Sequence, residues 1–181
     1  IRDYKVTGVQ TCALPIFFST PRFRVYTNSD VAGCEYGGAL KNVIAIAAGV
    51  CDGLGFGDNT KGALLTRGLA EMSRLGESMG AKRETFFGLT GMGDLIATAM
   101  SRHSRNRHVG ERIGRGETLQ QVLGGMVMVA EGVTTARAAR DLGARQGVEL
   151  PITEQVCAIL EGRAPQEALM ALMTRDLKRE V

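Results

Sequence analysis

The spacing of apolar residues predicts a chain that is helical over most of its length. Apolar side chains recur at helical intervals over residues 35–51, and a second such pattern follows Asp58 or Asn59 and stops at Gly80. Shorter helices are predicted at residues 83–87, 94–100, 105–113, 119–123 and 134–145, and two more begin at Pro151 and Pro165.

Three parts of the chain depart from this helical pattern. Residues 22–26 alternate polar and apolar, which predicts a short strand, and the apolar run 126–130 is either a strand or a buried loop. Residues 1–16 fit poorly with the rest of the chain and are interpreted as a foreign, non-matching leader. The expected fold class is therefore all-α, with one helical domain over residues 17–181.

Neither glycine cluster matches the dinucleotide-binding fingerprint. Residues 53–57 contain G-x-G-x-G and residues 88–93 contain G-x-x-G-x-G. The fingerprint requires a preceding strand inside a βαβ unit, and neither cluster has one. The first cluster is predicted to be a loop between helices, and no Rossmann domain is expected within this sequence.

Composition narrows the function classes. The 181 residues are 44% hydrophobic and 23% charged with a net charge of +3, which is typical of a soluble globular domain and favours neither nucleic acid nor membranes. No apolar stretch reaches the roughly 18 residues of a membrane span. The four cysteines form no C-x-x-C pair, so structural zinc and a disulfide framework are not expected. The expected location is the reducing cytoplasm.

Lys41 is the most informative candidate for chemistry, because it is the only charged residue between Tyr36 and Cys51. Small and apolar neighbours one helical turn away favour desolvation of the amine, which prepares a lysine to act as a general base. The alternative is that the side chain extends along the helix and keeps its amine in water.

Two further segments carry polar groups at predicted helix starts. Asp94 follows a glycine-rich turn, and Thr98 lies one turn later on the same face. Residues 101–108, SRHSRNRH, form a basic cluster near the start of another predicted helix, where guanidinium and backbone N–H groups favour phosphate. The alternatives are a plain helix-start aspartate and a solvated basic surface. The two nearby histidines lack partners at ligand spacing, so no metal site is expected.

The segment 129–132, VAEG, follows the short apolar run and contains the last candidate, Glu131. A carboxylate at this point can accept hydrogen bonds from a ribose or an amide. The alternative is that Glu131 simply begins the following helix.

In this order, the segments GGALKNV, GLTGMGDL, SRNR, AEGV and GVELPITE resemble the NAD(P)-dependent glycerol-3-phosphate dehydrogenases. The resemblance extends from about residue 18 to residue 181. It implies a mainly helical C-terminal domain, which in the family follows a nucleotide-binding Rossmann domain that this sequence does not show. On this basis the chain is expected to be a C-terminal fragment with little activity in isolation.

The resemblance also implies a role for each candidate. The lysine of GGALKN is the family's proton acceptor in alcohol oxidation, and here it is Lys41. The remaining assignments form two groups: residues that bind substrate, which are Asp94, Thr98, Ser104, Arg105 and Asn106, and residues that contact the cofactor, which are Arg105, Val129 and Glu131.

The implied reaction is the reversible, NAD- or NADP-dependent interconversion of sn-glycerol 3-phosphate and dihydroxyacetone phosphate, which supplies phospholipid synthesis. A positioned amine suits it, because the hydroxyl proton must leave while hydride moves to the nicotinamide. The choice between NAD and NADP stays open, since the selecting residues lie in the nucleotide-binding domain. Whether the chain forms a homodimer also stays open.

Two other function classes compete with this enzyme. Nucleic-acid binding would use the arginines of residues 102–115, but no aromatic residue follows Phe87, and Glu111 interrupts the basic patch. The second alternative is a non-catalytic helical interaction or dimerisation module, in which the uncharged helix around Ile44 packs on a partner.

Overall fold

The computed structural model describes residues 17–126 and 128–176. From Val31 onward the described backbone forms nine α-helices and one π-helical turn. The helices are α1 (Val31–Gly53), α2 (Asp58–Ser78), α3 (Arg83–Phe87), α4 (Asp94–Met100), α5 (Arg105–Gly114), α6 (Leu119–Gly124), α7 (Gly132–Gln146), α8 (Pro151–Leu160) and α9 (Pro165–Met173), and the π-helical turn Leu89–Gly93 joins α3 to α4. The all-α fold class is confirmed, while the predicted leader, residues 1–16, lies outside the described residues.

The longest helix, α1, forms the centre of the domain. Residues 42–51 are buried because α2, α4, α5 and α7 pack around them. Ile44 is among the most deeply buried side chains. The apolar surface that the interaction-module alternative invoked around Ile44 is thus covered by the domain's own helices.

A capping residue sets the start of α1. Asp30 Oδ1 accepts a hydrogen bond from the Gly33 backbone N–H at 3.0 Å, so the helix begins at Val31 and not at the predicted residue 35. Asp30 Oδ2 accepts from the Lys82 backbone N–H at 2.8 Å and from Thr85 Oγ1 at 2.7 Å. Together these bonds, led by the one from Gly33, hold the pKa of the Asp30 carboxyl below its usual value.

Glycines bring α1 and α5 into direct backbone contact. A Cβ atom at Gly49 would lie 1.9 Å from the carbonyl oxygen of Arg107, and one at Gly110 would lie 1.9 Å from the carbonyl oxygen of Ile46. Neither position leaves room for a side chain. This close crossing places the first turn of α5 against the middle of α1.

The strand predicted at residues 22–26 is wrong. The pairing in this region is one isolated antiparallel bridge between Thr20 and Phe23, with backbone N···O distances of 2.6 and 3.2 Å. A strand needs a neighbouring strand to complete its hydrogen-bond ladder, and the described part of the chain supplies none. Residues 128–130 of the second apolar run likewise form no strand, and Val127 lies outside the described residues.

The loop prediction for residues 53–57 is confirmed. Gly53 ends α1, Gly57 precedes α2, and Gly55 between them has a φ of +80°, a conformation that favours glycine. In the second glycine cluster, Gly88 precedes the π-helical turn Leu89–Gly93. A Cβ at Gly91 would lie 2.0 Å from the Phe86 carbonyl oxygen, so close packing explains this glycine.

Candidate active site

Lys41 contacts Asp94 where α1 meets α4. Its Nζ donates a hydrogen bond to Asp94 Oδ2, and the two groups form an ion pair. The lysine side chain is 19% exposed and the aspartate side chain 39%. The amine therefore faces a carboxylate at the edge of the domain, within reach of a bound molecule, and does not extend into open water.

Thr98 holds the second oxygen of the same carboxylate. Its Oγ1 donates to Asp94 Oδ1 at 3.3 Å, one helical turn along α4. Asp94 is thus held by Lys41 on one oxygen and by Thr98 on the other. The three side chains form a short hydrogen-bonded group, called the Lys41–Asp94–Thr98 relay below.

A chain of buried hydrogen bonds links α5 and α7 to α1 beside Lys41. Asn106 Nδ2 donates to Asn42 Oδ1 at 2.9 Å, and the Gly132 backbone N–H donates to Asn106 Oδ1 at 2.8 Å. Both asparagine side chains are buried. Because Asn42 follows Lys41 and Gly132 follows Glu131, these bonds fix the start of α7 relative to the lysine.

The start of α5 presents two polar groups outward. Ser104 caps the helix by accepting from the Arg107 backbone N–H at 3.2 Å. Arg105 is exposed, and its guanidinium has no hydrogen-bond or ion-pair partner among the described residues. A hydroxyl and an unpaired guanidinium next to a helix start are suited to bind a phosphate.

Val129 and Glu131 are both exposed. The Glu131 carbonyl accepts from Thr134 Oγ1 at 3.0 Å and Thr135 Oγ1 at 2.9 Å, whereas its carboxylate has no partner among the described residues. The hydrogen bond from Gly132 to Asn106 is what connects this segment to the other candidates.

Asn42 is not among the residues predicted from the sequence. The signal was available, because Asn42 and Lys41 are the only polar side chains between Gly38 and Cys51. A buried amide needs hydrogen-bond partners. Its partner Asn106 lies 64 residues away along the chain, however, and sequence spacing could not identify it.

A charge cluster that the sequence did not reveal anchors α5 to α1 and α2. The Nε and Nη2 atoms of Arg107 each lie 2.7 Å from Asp52 Oδ2, and Lys61 Nζ lies 2.9 Å from Asp52 Oδ1. All three side chains are largely buried. This cluster fixes the helix whose first turn carries Ser104 and Arg105.

Ion pairs also neutralise much of the basic segment 102–115. Arg107 pairs with Asp52, Arg112 with Glu117, and Arg115 with Glu111. This pairing engages three of the five arginines on which the nucleic-acid alternative depended, and it leaves that alternative with little free charge.

Another buried carboxylate, Glu71, serves the packing of the helices. Its oxygens accept from the backbone N–H groups of Ile152 at 2.6 Å and Thr153 at 3.1 Å, and from Thr153 Oγ1 at 3.1 Å. Glu71 thus caps the start of α8 from α2. Burial raises the pKa of Glu71 to about 7, and these hydrogen bonds oppose the rise.

Within residues 17–126 and 128–176, no group of three or more His, Cys, Asp or Glu side chains is placed to hold a metal ion. No helix there combines the length and the apolar character needed to cross a membrane.

Comparison with known proteins identifies the family to which this chain belongs. Residues 30–171 match the family described as NAD-dependent glycerol-3-phosphate dehydrogenase C-terminus. Two bacterial proteins named glycerol-3-phosphate dehydrogenase (NAD(P)+) are similar in sequence. The one from Geobacter sulfurreducens is 62% identical over 169 residues, which cover 93% of this chain and 50% of that protein. The one from Solidesulfovibrio magneticus is 60% identical over 163 residues, which cover 90% of this chain and 49% of that protein.

A solved structure agrees with these relatives. The crystal structure of glycerol-3-phosphate dehydrogenase from Coxiella burnetii superposes with a TM-score of 0.86 at 38% identity, covering 94% of this chain and 53% of that one. The chain spans about half the length of the curated relatives it matches. By its sequence and its fold, this chain belongs to the NAD-dependent glycerol-3-phosphate dehydrogenase family and matches the C-terminal domain of that family.

Proposed function

We propose that this chain forms the substrate-binding and proton-transfer half of an NAD(P)-dependent glycerol-3-phosphate dehydrogenase. The observation that carries the proposal is the relay in which Lys41 meets Asp94, itself held by Thr98, at the accessible edge of the domain. The names of the relatives support sn-glycerol 3-phosphate and dihydroxyacetone phosphate as the reacting pair.

Lys41 acts as the proton acceptor in this proposal. In the oxidative direction its neutral amine takes the proton of the secondary hydroxyl while hydride leaves the same carbon, and the ketone forms. Asp94, the ion-pair partner of Lys41, then faces the ammonium that results. In the reductive direction the ammonium returns the proton to the carbonyl oxygen of dihydroxyacetone phosphate.

The start of α5 binds the substrate in this proposal. The unpaired guanidinium of Arg105 and the hydroxyl of Ser104 suit the phosphate, and a fixed phosphate sets the distance from Lys41 to the reacting carbon. Asn106 already uses its oxygen and one amide N–H within the domain, so one N–H remains for a ligand. Thr98 and Asp94 complete the proposed substrate site.

The nicotinamide nucleotide, NAD or NADP, supplies the hydride acceptor when it is bound. Arg105, Val129 and Glu131 are proposed to contact it. Two of these residues suit a nucleotide chemically. Arg105 offers donors to a phosphate, and the unpartnered Glu131 carboxylate offers acceptors to hydroxyl or amide groups. The described residues include no strand–turn–helix unit that would hold the pyrophosphate.

The proposal also covers the metabolic role of the product, the location of the chain in the cell and its oligomeric state. The product glycerol 3-phosphate feeds phospholipid synthesis. The described cysteines Cys34, Cys51 and Cys157 are free thiols, which supports a reducing cytoplasm. We include a homodimer in the proposal, and sedimentation equilibrium of the chain tests it, because a single species of the monomer's mass would contradict it.

A chimaera tests the proposed reaction directly. It joins residues 17–181 of this chain to the remaining half of the Geobacter sulfurreducens relative, which is 62% identical over the shared part. We expect reduction of NAD+ or NADP+ that depends on sn-glycerol 3-phosphate. A correctly folded chimaera that oxidises no glycerol 3-phosphate would contradict the proposal.

A further inference from the structure

Two neighbouring residues of α5 bind α1 at points that lie far apart. Asn106 Nδ2 donates to Asn42 Oδ1 at 2.9 Å, and Arg107 forms an ion pair with Asp52. Asn42 and Asp52 are ten residues apart on α1, which corresponds to about 15 Å along a helix. A single contact would let the first turn of α5 pivot, whereas two separated contacts fix both its position and its direction.

The contact at Asp52 is the stronger of the two, because it joins charged groups. The Nε and Nη2 atoms of Arg107 both lie 2.7 Å from Asp52 Oδ2, and the two side chains are only 17% and 13% exposed. Lys61 of α2 holds the other carboxylate oxygen at 2.9 Å. Salt screens a pair this buried far less than it screens a surface ion pair. The contact between Asp52 and Arg107 therefore resists displacement of α5 along α1.

The proposed phosphate-binding groups lie on the same turn as these contacts. Ser104 Oγ accepts from the Arg107 backbone N–H at 3.2 Å, and Arg105 lies between these two residues. Asp52 is thus joined, through Arg107, to the turn that presents Arg105. Asp52 also follows Lys41 by eleven residues, close to three helical turns, so both side chains extend from the same side of α1. Helix α1 therefore sets the distance between Lys41 and this turn.

We propose that Asp52 is a positioning residue for the dehydrogenase reaction, which acts through Arg107 to hold the first turn of α5 at a fixed distance from Lys41. This inference rests on the proposed function, because the distance matters only if Arg105 binds the substrate phosphate while Lys41 takes the proton. In sn-glycerol 3-phosphate a single carbon separates the phosphate ester oxygen from the carbon that loses hydride. A substrate this short tolerates little displacement of its phosphate, and a misplacement of about 1 Å can cost on the order of 10²-fold in rate.

Substitution Asp52→Asn in the chimaera tests this role. The amide keeps the side-chain volume, but it has one oxygen to accept from Arg107 and turns donors toward Lys61, so the contact weakens. We expect kcat/KM for glycerol 3-phosphate to fall by about 10- to 100-fold, mostly through a higher KM. The Kd for glycerol 3-phosphate, measured by titration calorimetry, should rise with KM. Arg107→Lys keeps the charge but not the paired donors, and it should raise both constants by a smaller factor.

Lys61→Met is the matched control. It removes the other cation from the same carboxylate and leaves the contact between Asp52 and Arg107 in place. It should lower stability as Asp52→Asn does, yet change neither KM nor Kd. Lost stability alone reduces the folded fraction, which lowers the apparent kcat without altering the affinity of the folded protein.

The possible results separate the positioning role from the proposed function. An active Asp52→Asn chimaera whose KM and Kd match those of Lys61→Met overturns the positioning role and upholds the proposed function. If Asp52→Asn does not fold, Arg107→Lys decides by the same comparison. A raised Kd in a chimaera without turnover upholds the positioning role and contradicts the proposed reaction. A chimaera that neither binds nor oxidises glycerol 3-phosphate contradicts both.

Discussion

At the scale of single residues, two contacts of the candidate site join side chains from different helices. Lys41 on α1 meets Asp94 on α4, and Asn42 on α1 meets Asn106 on α5. Each contact fixes one helix relative to α1 as well as orienting a polar group. The packing of the helices and the orientation of the candidate site residues therefore depend on the same two contacts.

Arg105→Ala should raise the KM for glycerol 3-phosphate in the chimaera by about 10- to 100-fold, because hydrogen bonds to a charged group contribute roughly 1.5–3 kcal/mol. The guanidinium is expected to hold the phosphate in ground and transition states alike, so KM should change more than kcat. Steady-state kinetics with glycerol 3-phosphate varied measures both. Arg102→Ala is the matched control, an exposed arginine three residues earlier. Equal KM effects from the two variants would contradict the assignment.

Glu71 should make the stability of the chain fall as pH rises. Its pKa is about 7 when folded and near 4.5 when unfolded, so between these values the folded state holds a proton that the unfolded state has released. The lost stability is on the order of 3 kcal/mol, at roughly 1.4 kcal/mol per pKa unit. Urea unfolding from pH 4.5 to 8 measures it. Glu71→Gln cannot titrate, and a variant with the same pH slope as the original chain would contradict this account.

At the scale of helices, the crossing of α1 and α5 depends on glycine. Gly110→Ala should lower the free energy of unfolding by about 1–3 kcal/mol, because the new methyl group meets the Ile46 carbonyl of a backbone that cannot move aside. Gly62→Ala is the control. Gly62 lies on α2 with no atom within 4 Å of an added Cβ, so alanine there should stabilise the chain by up to about 1 kcal/mol. Urea unfolding compares them, and equal effects would show that the crossing tolerates side chains.

The local spacing of apolar residues predicts most of the helices, but it does not predict which helices contact each other. Helices at residues 83–87 and 94–100 were predicted with their observed limits, because the apolar spacing ends where each helix ends. The apolar spacing does not predict the start of α1, because a capping aspartate, Asp30, sets this start. The strand at residues 22–26 failed because alternation does not supply a neighbouring strand to pair with.

The candidate site was predictable in a similarly limited way. Lys41 and Asp94 stood out as isolated charges in apolar or glycine-rich segments, and the structure places them in contact. Asn42 and Asp52 did not stand out, because their partners Asn106 and Arg107 are distant in sequence. A one-dimensional pattern shows which side chains are unusual for their surroundings, whereas only the packed helices show what they bind.

At the scale of the whole molecule, the contact between Lys41 and Asp94 lies at the accessible edge of an all-helical domain. The chain spans about half of its relatives' length. In the proposed function, this domain binds the substrate and takes the proton, while a dinucleotide-binding domain brings the nicotinamide.

The turnover of a Lys41→Ala chimaera tests the central claim most directly. Proton transfer occurs in the transition state, so kcat for glycerol 3-phosphate oxidation should fall by about 10²–10⁴-fold while KM changes much less. Lys82→Ala removes an exposed lysine outside the site and should leave kcat unchanged. A Lys41→Ala enzyme that turns over at nearly the rate of the Lys82→Ala control would exclude Lys41 from the chemistry and contradict the account.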